Sequence, residues 1–191
     1  MKIWRIAFVL FVAFSLVACE KADPFEETDS GKNTLGFMLN GKKVEYFWQP
    51  VMPPAVYMDP VWAKEYSNDT LEIYASLDPI EELGGNNSIT INLPVKKLTN
   101  GAVLVNEADI ILPYLAGSEQ VEDYTRLYYN SLDITTSRVS IRTCKPGEVL
   151  SGTFEFEGDA EFRDGTTKHC KITNGHFDVK WEKIPKPLIS Y

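Results

Sequence analysis

Apolar and polar residues alternate with a period of two along much of the chain, and turn-forming pairs punctuate the alternation. The first such run is Leu35 to Trp48. Its Asn40-Gly41 pair suits the centre of a two-residue type I′ turn, because both residues tolerate a positive φ. Pairing across that turn sets Phe37 opposite Val44 and Leu35 opposite Tyr46 on one face. Met38 and Gly36 then meet Lys43 and Glu45 on the other. Hydrophobic pattern and turn chemistry specify the same register, which makes this hairpin well determined.

Leu71 to Leu77 and Ser88 to Leu93 read as two more half-buried strands. Leu71, Ile73, Ala75 and Leu77 face inward in the first, and Ile89, Ile91 and Leu93 in the second, which Pro94 ends. Residues 95 to 129 are less regular. They carry a turn at Asn100-Gly101, a strand stub at Ile110 to Leu112 and a candidate helical turn from Ser118.

In the last third, Pro146-Gly147 suits the centre of a type II turn, Pro fixing one torsion and Gly supplying the positive one. Simple register across it pairs Val139 with Phe154, Ile141 with Gly152 and Thr143 with Leu150. Arg138, Ser140 and Arg142 then meet Glu155, Thr153 and Ser151. Asn174-Gly175 predicts a further hairpin, with Ile172 against Phe177, Cys170 against Val179 and Lys171 against Asp178. Joining these two hairpins puts Phe156 and Ile172 on opposite faces, so a bulge near Gly158 or a longer loop must absorb the slip. Pro185 and Pro187 stop further pairing. Short strands joined by turns, without alternating helices, predict an all-β fold. The expected architecture is an antiparallel β-sandwich of hairpins, with a partly open β-barrel as the alternative.

Ahead of this domain stands a different kind of sequence. Lys2 and Arg5 precede an apolar stretch from Ile6 to Val17, and Leu16-Val17-Ala18-Cys19 has the form of a lipobox. A helix over that stretch would reach about 18 Å, short of the ~30 Å hydrocarbon core. The expectation is a lipoprotein signal peptide over residues 1–18, with lipidation of Cys19 and stable attachment through several acyl chains. Residues 19–32 are expected to form a flexible acidic tether. Its Glu20 to Lys32 part has five acids and two lysines, little to bury and an average span of ~20 Å. Residues 33–183 form the single domain and 184–191 a tail.

Composition narrows the functional classes. Loss of Lys2 and Arg5 with the leader takes the formal charge from −8 to −10, and no basic cluster remains, which argues against nucleic acid as a partner. Cys144 and Cys170 are a candidate disulfide outside the cytoplasm. Strand parity opposes it, placing Cys170 on the core face and Cys144 on the polar one. His169 and His176 fall on an outward strand face, ~13 Å apart in the hairpin register, too far to share a metal ion. No H-E-x-x-H, C-x-x-C or G-x-S-x-G motif occurs, so neither a cofactor nor a catalytic set is expected. Asp78, Glu81 and Glu82, beside Asn86 and Asn87, read as a solvated acidic loop rather than a calcium site. Residues 47 to 66 place Phe47, Trp48, Tyr57, Trp62 and Tyr66 in a proline-rich loop. Trp48, Tyr57 and Trp62 are its candidate stacking residues for a glycan or peptide, the alternative being that they plug an open end of the fold.

Three segments, LGFMLNGKK (Leu35 to Lys43), LSGTFEF (Leu150 to Phe156) and ITNGHFDV (Ile172 to Val179), resemble a family of uncharacterised lipoproteins abundant in the Bacteroidetes. The resemblance covers the anchor, the first hairpin and the last third of the chain. It implies an outer-membrane lipoprotein, on the periplasmic face or the cell surface, and brings no catalytic or binding residues with it. The sequence thus predicts a non-enzymatic structural or interaction module, lipid-anchored in the cell envelope. The alternative is a glycan- or peptide-binding lipoprotein.

Overall fold

The computed structural model describes residues 21–48, 59–66, 69–78, 87–113, 129–131, 133–161 and 167–183. Among the described residues eleven strands occur in chain order: β1 (Thr34–Leu39), β2 (Lys42–Glu45), β3 (Val61–Tyr66), β4 (Thr70–Leu77), β5 (Asn87–Pro94), β6 (Val103–Val105), β7 (Asp109–Pro113), β8 (Tyr129–Ser131), β9 (Asp133–Lys145), β10 (Val149–Glu161) and β11 (Thr167–Lys183). All belong to one sheet, ordered β6-β9-β10-β11-β3-β4-β5-β7-β8, with β1 and β2 branching from β11. The sheet is open and strongly curled, a half-barrel, as the all-β expectation allowed. One arm is β6, β9, β10, β11, β1 and β2. The other is β3, β4, β5, β7 and β8. A single core fills the hollow between them.

Strand β11 is the hinge between the arms. Its middle pairs with β1 and its end, Trp181 to Lys183, pairs in parallel with Ala63 to Glu65 of β3. Trp181 is 2% exposed, and its indole N–H donates to Glu65 Oε2 at 3.0 Å, which satisfies a buried donor at the junction. Phe154 anchors the core of the first arm, with Phe37, Phe156 and Phe177 at centroid distances of 5.9, 5.7 and 6.3 Å. The second arm contributes Leu71, Ile73, Ala75, Ile89, Ile91 and Leu93, paired across β4 and β5 and fully buried, as their alternation predicts.

The first hairpin has the expected register, Phe37 opposite Val44 and Met38 opposite Lys43, around Asn40 (φ 49°) and Gly41 (φ 83°). The Pro146-Gly147 turn also forms, with Gly147 at φ 81° and Glu148 N–H donating to Lys145 O at 2.9 Å. Its flanking register needs correction, because Ser151 meets Thr143 and Leu150 meets Cys144. Arg142 is the extra residue of a β-bulge, beyond which Ile141–Gly152 and Val139–Phe154 pair as expected.

Asn174-Gly175 is not a hairpin turn. β11 runs through it unbroken, and the pair forms a bulge with Asn174 at φ 51°. Phe156 therefore lies opposite Ile172, and the register slip occurs at Asn174. The pairings of Ile172 with Phe177, Cys170 with Val179 and Lys171 with Asp178 do not occur. Gly175 is required here for closeness as well, since a Cβ would come within 2.5 Å of Phe154 O and 2.6 Å of its ring.

The predicted tether is also corrected. Residues 21–33 are not a solvated leash but an irregular strap laid across the outer face of the first arm. Its own Pro24 and Gly31 are buried against the sheet, and its side chains bond to β2, β9, β10 and β11. The leader, Cys19, the candidate helical turn from Ser118 and the tail lie outside the described residues.

Candidate functional site

Alternation sends every second side chain to the outer faces of the two arms. On the first arm the centre is Asp178, which points outward between buried Phe177 and Val179 and is nevertheless only 2% exposed. The strap covers it. Thr28 Oγ1 donates to Oδ2 at 2.6 Å, and the consecutive N–H groups of Ser30, Gly31 and Lys32 donate at 3.2, 2.7 and 3.3 Å. Gly31 at φ 67° lets the backbone curve round the carboxylate and aim these donors at it.

Farther along the strap, Asp29 accepts from Ser151 Oγ and from Arg142 Nε, the latter at 2.6 Å. Those two bonds, Ser151 first, hold the Asp29 carboxyl below its ordinary range. The Arg142 that reaches Asp29 is the bulged residue of β9, and it also pairs with Glu27 at 3.4 Å. At the other end Lys21 bonds Glu45 at 3.0 Å and Asp78 at 3.4 Å, and Tyr46 Oη donates to Ala22 O at 3.0 Å. Burial pushes the Tyr46 phenol up to about 12. Pro24 and Phe25 sit on Gly36, whose absent side chain makes room for them; a Cβ there would lie 2.9 Å from Pro24.

The outer face of the second arm carries no strap among the described residues. Two ladder rungs cross it. One is Trp62–Tyr74–Thr90–Ile111, and the next is Lys64–Glu72–Asn92–Asp109. Trp62 stacks on Tyr74 with centroids 5.1 Å apart and planes 17° from parallel, and Lys64 Nζ lies 4.6 Å from the Trp62 centroid. Partial burial lifts the Glu72 carboxyl above its ordinary range despite Lys64 beside it. Tyr66, 38% exposed, extends the aromatic content toward the end of β3, and burial with the Glu72 charge raises its phenol pKa. This surface combines flat aromatic area with acceptors, donors and opposite charges facing across one rung, Lys64 and Glu72, which is the chemistry of a polar ligand platform.

The stacking residues expected from sequence are therefore redistributed. Trp62 and Tyr66 stand on strand β3 rather than in a loop. Trp48 is half-buried and packs against the core, which suits the plugging role better than an open platform. Tyr57 lies outside the described residues. Tyr74, the stacking partner of Trp62, was not singled out from sequence. The available signal was its outward parity in the Leu71 to Leu77 run, but identifying its neighbour required the β3–β4 register.

The cysteines are not bridged to each other. Opposite them on β10 stand Leu150 and Gly158, eight positions apart, so ~26 Å of strand separates the two levels. The bulge at Arg142 turns Cys144 from the expected polar face toward the core, where Sγ meets Leu98 O at 3.4 Å and burial raises the thiol pKa. Both histidines face outward as expected, but they belong to one continuous strand and stand seven residues apart. His169 Nδ1 meets Asp159 at 2.8 Å and Nε2 meets Glu157 at 3.2 Å. These contacts, Asp159 first, raise its pKa. Among the described residues no three metal-ligating side chains form a site. Asp78, from the expected acidic loop, is engaged by Lys21; Glu81, Glu82 and Asn86 lie outside the described residues. No family model, curated protein or solved structure matches the chain.

Proposed function

We propose that this chain is a lipid-anchored β domain of the bacterial cell envelope, held in the outer membrane through Cys19. On this reading it works without catalysis or cofactor, as an interaction module. Its contact surface is the uncovered outer face of the second arm. The observation that carries this reading is the contrast at Trp62, Tyr74, Lys64 and Glu72. These half-buried side chains lie on two adjacent rungs of a rigid sheet with no described segment drawn over them. A face fixed by ladder hydrogen bonds offers its groups at little entropic cost, which favours binding over loop-borne recognition.

A glycan is the ligand class that the aromatic rung favours, because a sugar presents a flat apolar face to an aromatic ring and hydroxyls to neighbouring Asn92, Thr90 and Glu72. A peptide is the competing ligand. A glycan array followed by tryptophan fluorescence titration tests the reading. Binding with a change in emission that Trp62→Ala abolishes, at unchanged thermal stability of the rest of the fold, supports it. A glycan that binds equally well to Trp62→Ala assigns recognition elsewhere.

A further inference from the structure

The strap changes what a lipid at Cys19 does mechanically. With residues 19–32 as a coil, the body would hang about 20 Å below its anchor and point in any direction. In the structure the packed chain already begins at Lys21, tied to Glu45 of β2 and to Asp78 just past β4, with Ala22 O held by Tyr46. One residue, Glu20, separates Lys21 from Cys19, two Cα steps with a reach of at most ~7 Å in any conformation. That is less than half the ~15 Å radius of gyration expected for a domain of this size. We propose that the protein is not displayed on a leash but lies flush on its own bilayer. The surface round Lys21, Lys42, Lys43, Glu45 and Trp48 faces the phospholipid headgroups. This inference rests on the lipidation proposed above.

The charges in that surface agree with the placement. The chain is acidic, at −8 in full and −10 without Lys2 and Arg5 of the leader, and would be repelled from a negatively charged membrane. Round the exit of the strap, Lys21, Lys42 and Lys43 are set against Asp23, Glu45 and Asp78, so this patch is close to neutral. Lys43 also lies 4.8 Å from the Phe25 ring centroid, and half-buried Phe47 and Trp48 follow Tyr46 at the end of β2. Ammonium groups beside aromatic rings suit the headgroup layer. The opposite edge of the sheet is β6, reached from β2 through β1, β11, β10 and β9, five strand spacings or ~24 Å along the sheet. An orientation fixed at Lys21 therefore holds β6 away from the lipid.

The test uses the full-length lipoprotein, made with its own leader and reconstituted in phosphatidylethanolamine–phosphatidylglycerol vesicles carrying a headgroup nitroxide quencher. A fluorophore is attached at Lys42→Cys or at Val105→Cys, each in a Cys144→Ala background. Incorporation of labelled fatty acid is measured on the same samples. Flush seating predicts quenching at least about twofold stronger at position 42 than at 105. It also predicts that a ten-residue Gly/Ser spacer between Glu20 and Lys21, adding ~17 Å of coil, removes the difference. Equal quenching at both positions in the protein without a spacer, with fatty acid incorporated, overturns the flush orientation and leaves the lipid anchor standing. Absence of fatty acid overturns the anchor and the orientation with it.

Discussion

The two arms of the sheet share one core and obey the same inward alternation, yet their outer faces are finished differently. On the first arm the protein's own strap seals the surface, turning an outward Asp178 into a buried, four-fold hydrogen-bonded carboxylate. On the second arm the corresponding positions, Trp62, Lys64, Glu72 and Tyr74, stay half-buried and sit in open ladder rungs with Thr90 and Asn92. A buried carboxylate with every donor supplied from its own chain has no capacity left for a partner. An aromatic rung flanked by half-buried polar side chains, with no described segment over it, keeps that capacity. The difference separates the face that stabilises the fold from the face available for recognition.

The sharpest test of that division compares two outward acids. Asp178→Ala leaves the backbone donors of Ser30, Gly31 and Lys32 without their acceptor and should cost about 2–4 kcal/mol in urea unfolding. Glu72→Ala should cost under about 1 kcal/mol. Equal costs would mean that both faces are structural. A smaller effect is expected for Gly36→Val, which drives branched methyls into Pro24 and Phe25. We expect a loss of about 1–3 kcal/mol, with proteolytic cleavage appearing between residues 21 and 33 while β4 and β5 stay protected.

The smallest effect, and the one most specific to the comparison, is its response to acid. The Asp29 carboxyl is depressed below 3.8, so its stabilisation is complete above that value and is lost as pH falls through the folded pKa. The Glu72 carboxyl is raised above 4.5, so the folded state holds its proton more tightly than the unfolded one and gains stability as pH falls through that range. Acidification should therefore tighten the second arm first, as Glu72 takes up its proton above 4.5, and loosen the strap only below 3.8. Hydrogen exchange resolved at Gly31 and at the β4 amides would show opposite trends. His169 has the same sign as Glu72, at higher pH. Its pKa is raised above 6.5, so the support it gives the β10–β11 hairpin is present below 6.5 and is lost as pH rises through the folded value. Near-neutral titration of amide exchange at Glu157 and Asp159 would detect it.

Much of this molecule could be read locally. The Asn40-Gly41 hairpin, the inward residues of β4 and β5, and the pairings of Val139 with Phe154 and Arg138 with Glu155 each depend on a period of two and on turn residues close in sequence, and these are the parts in which expectation and structure agree. The candidate recognition surface was legible only in part. Trp62 announced itself as an aromatic, but its partner Tyr74 and its neighbours Glu72 and Asn92 came from pairing between strands that the sequence did not connect.

Sequence by itself determined the all-β class, the inward faces of β1, β2, β4 and β5, and the turns at Asn40-Gly41 and Pro146-Gly147, because adjacent residues enforce these within a few ångströms of backbone. Tertiary structure decided the rest. Asn174-Gly175 has the torsional freedom for a turn or a bulge, and the ring of Phe154 lying over Gly175, with partners on both sides of β11, selected the bulge. Residues 21–33 look like a polar leash because their composition has little to bury. They become a strap because Asp178, Ser151 and Arg142, more than a hundred residues away, supply the other half of each bond. A polar segment's order depends on whether its donors and acceptors find fixed partners, and those partners exist only once the sheet has curled.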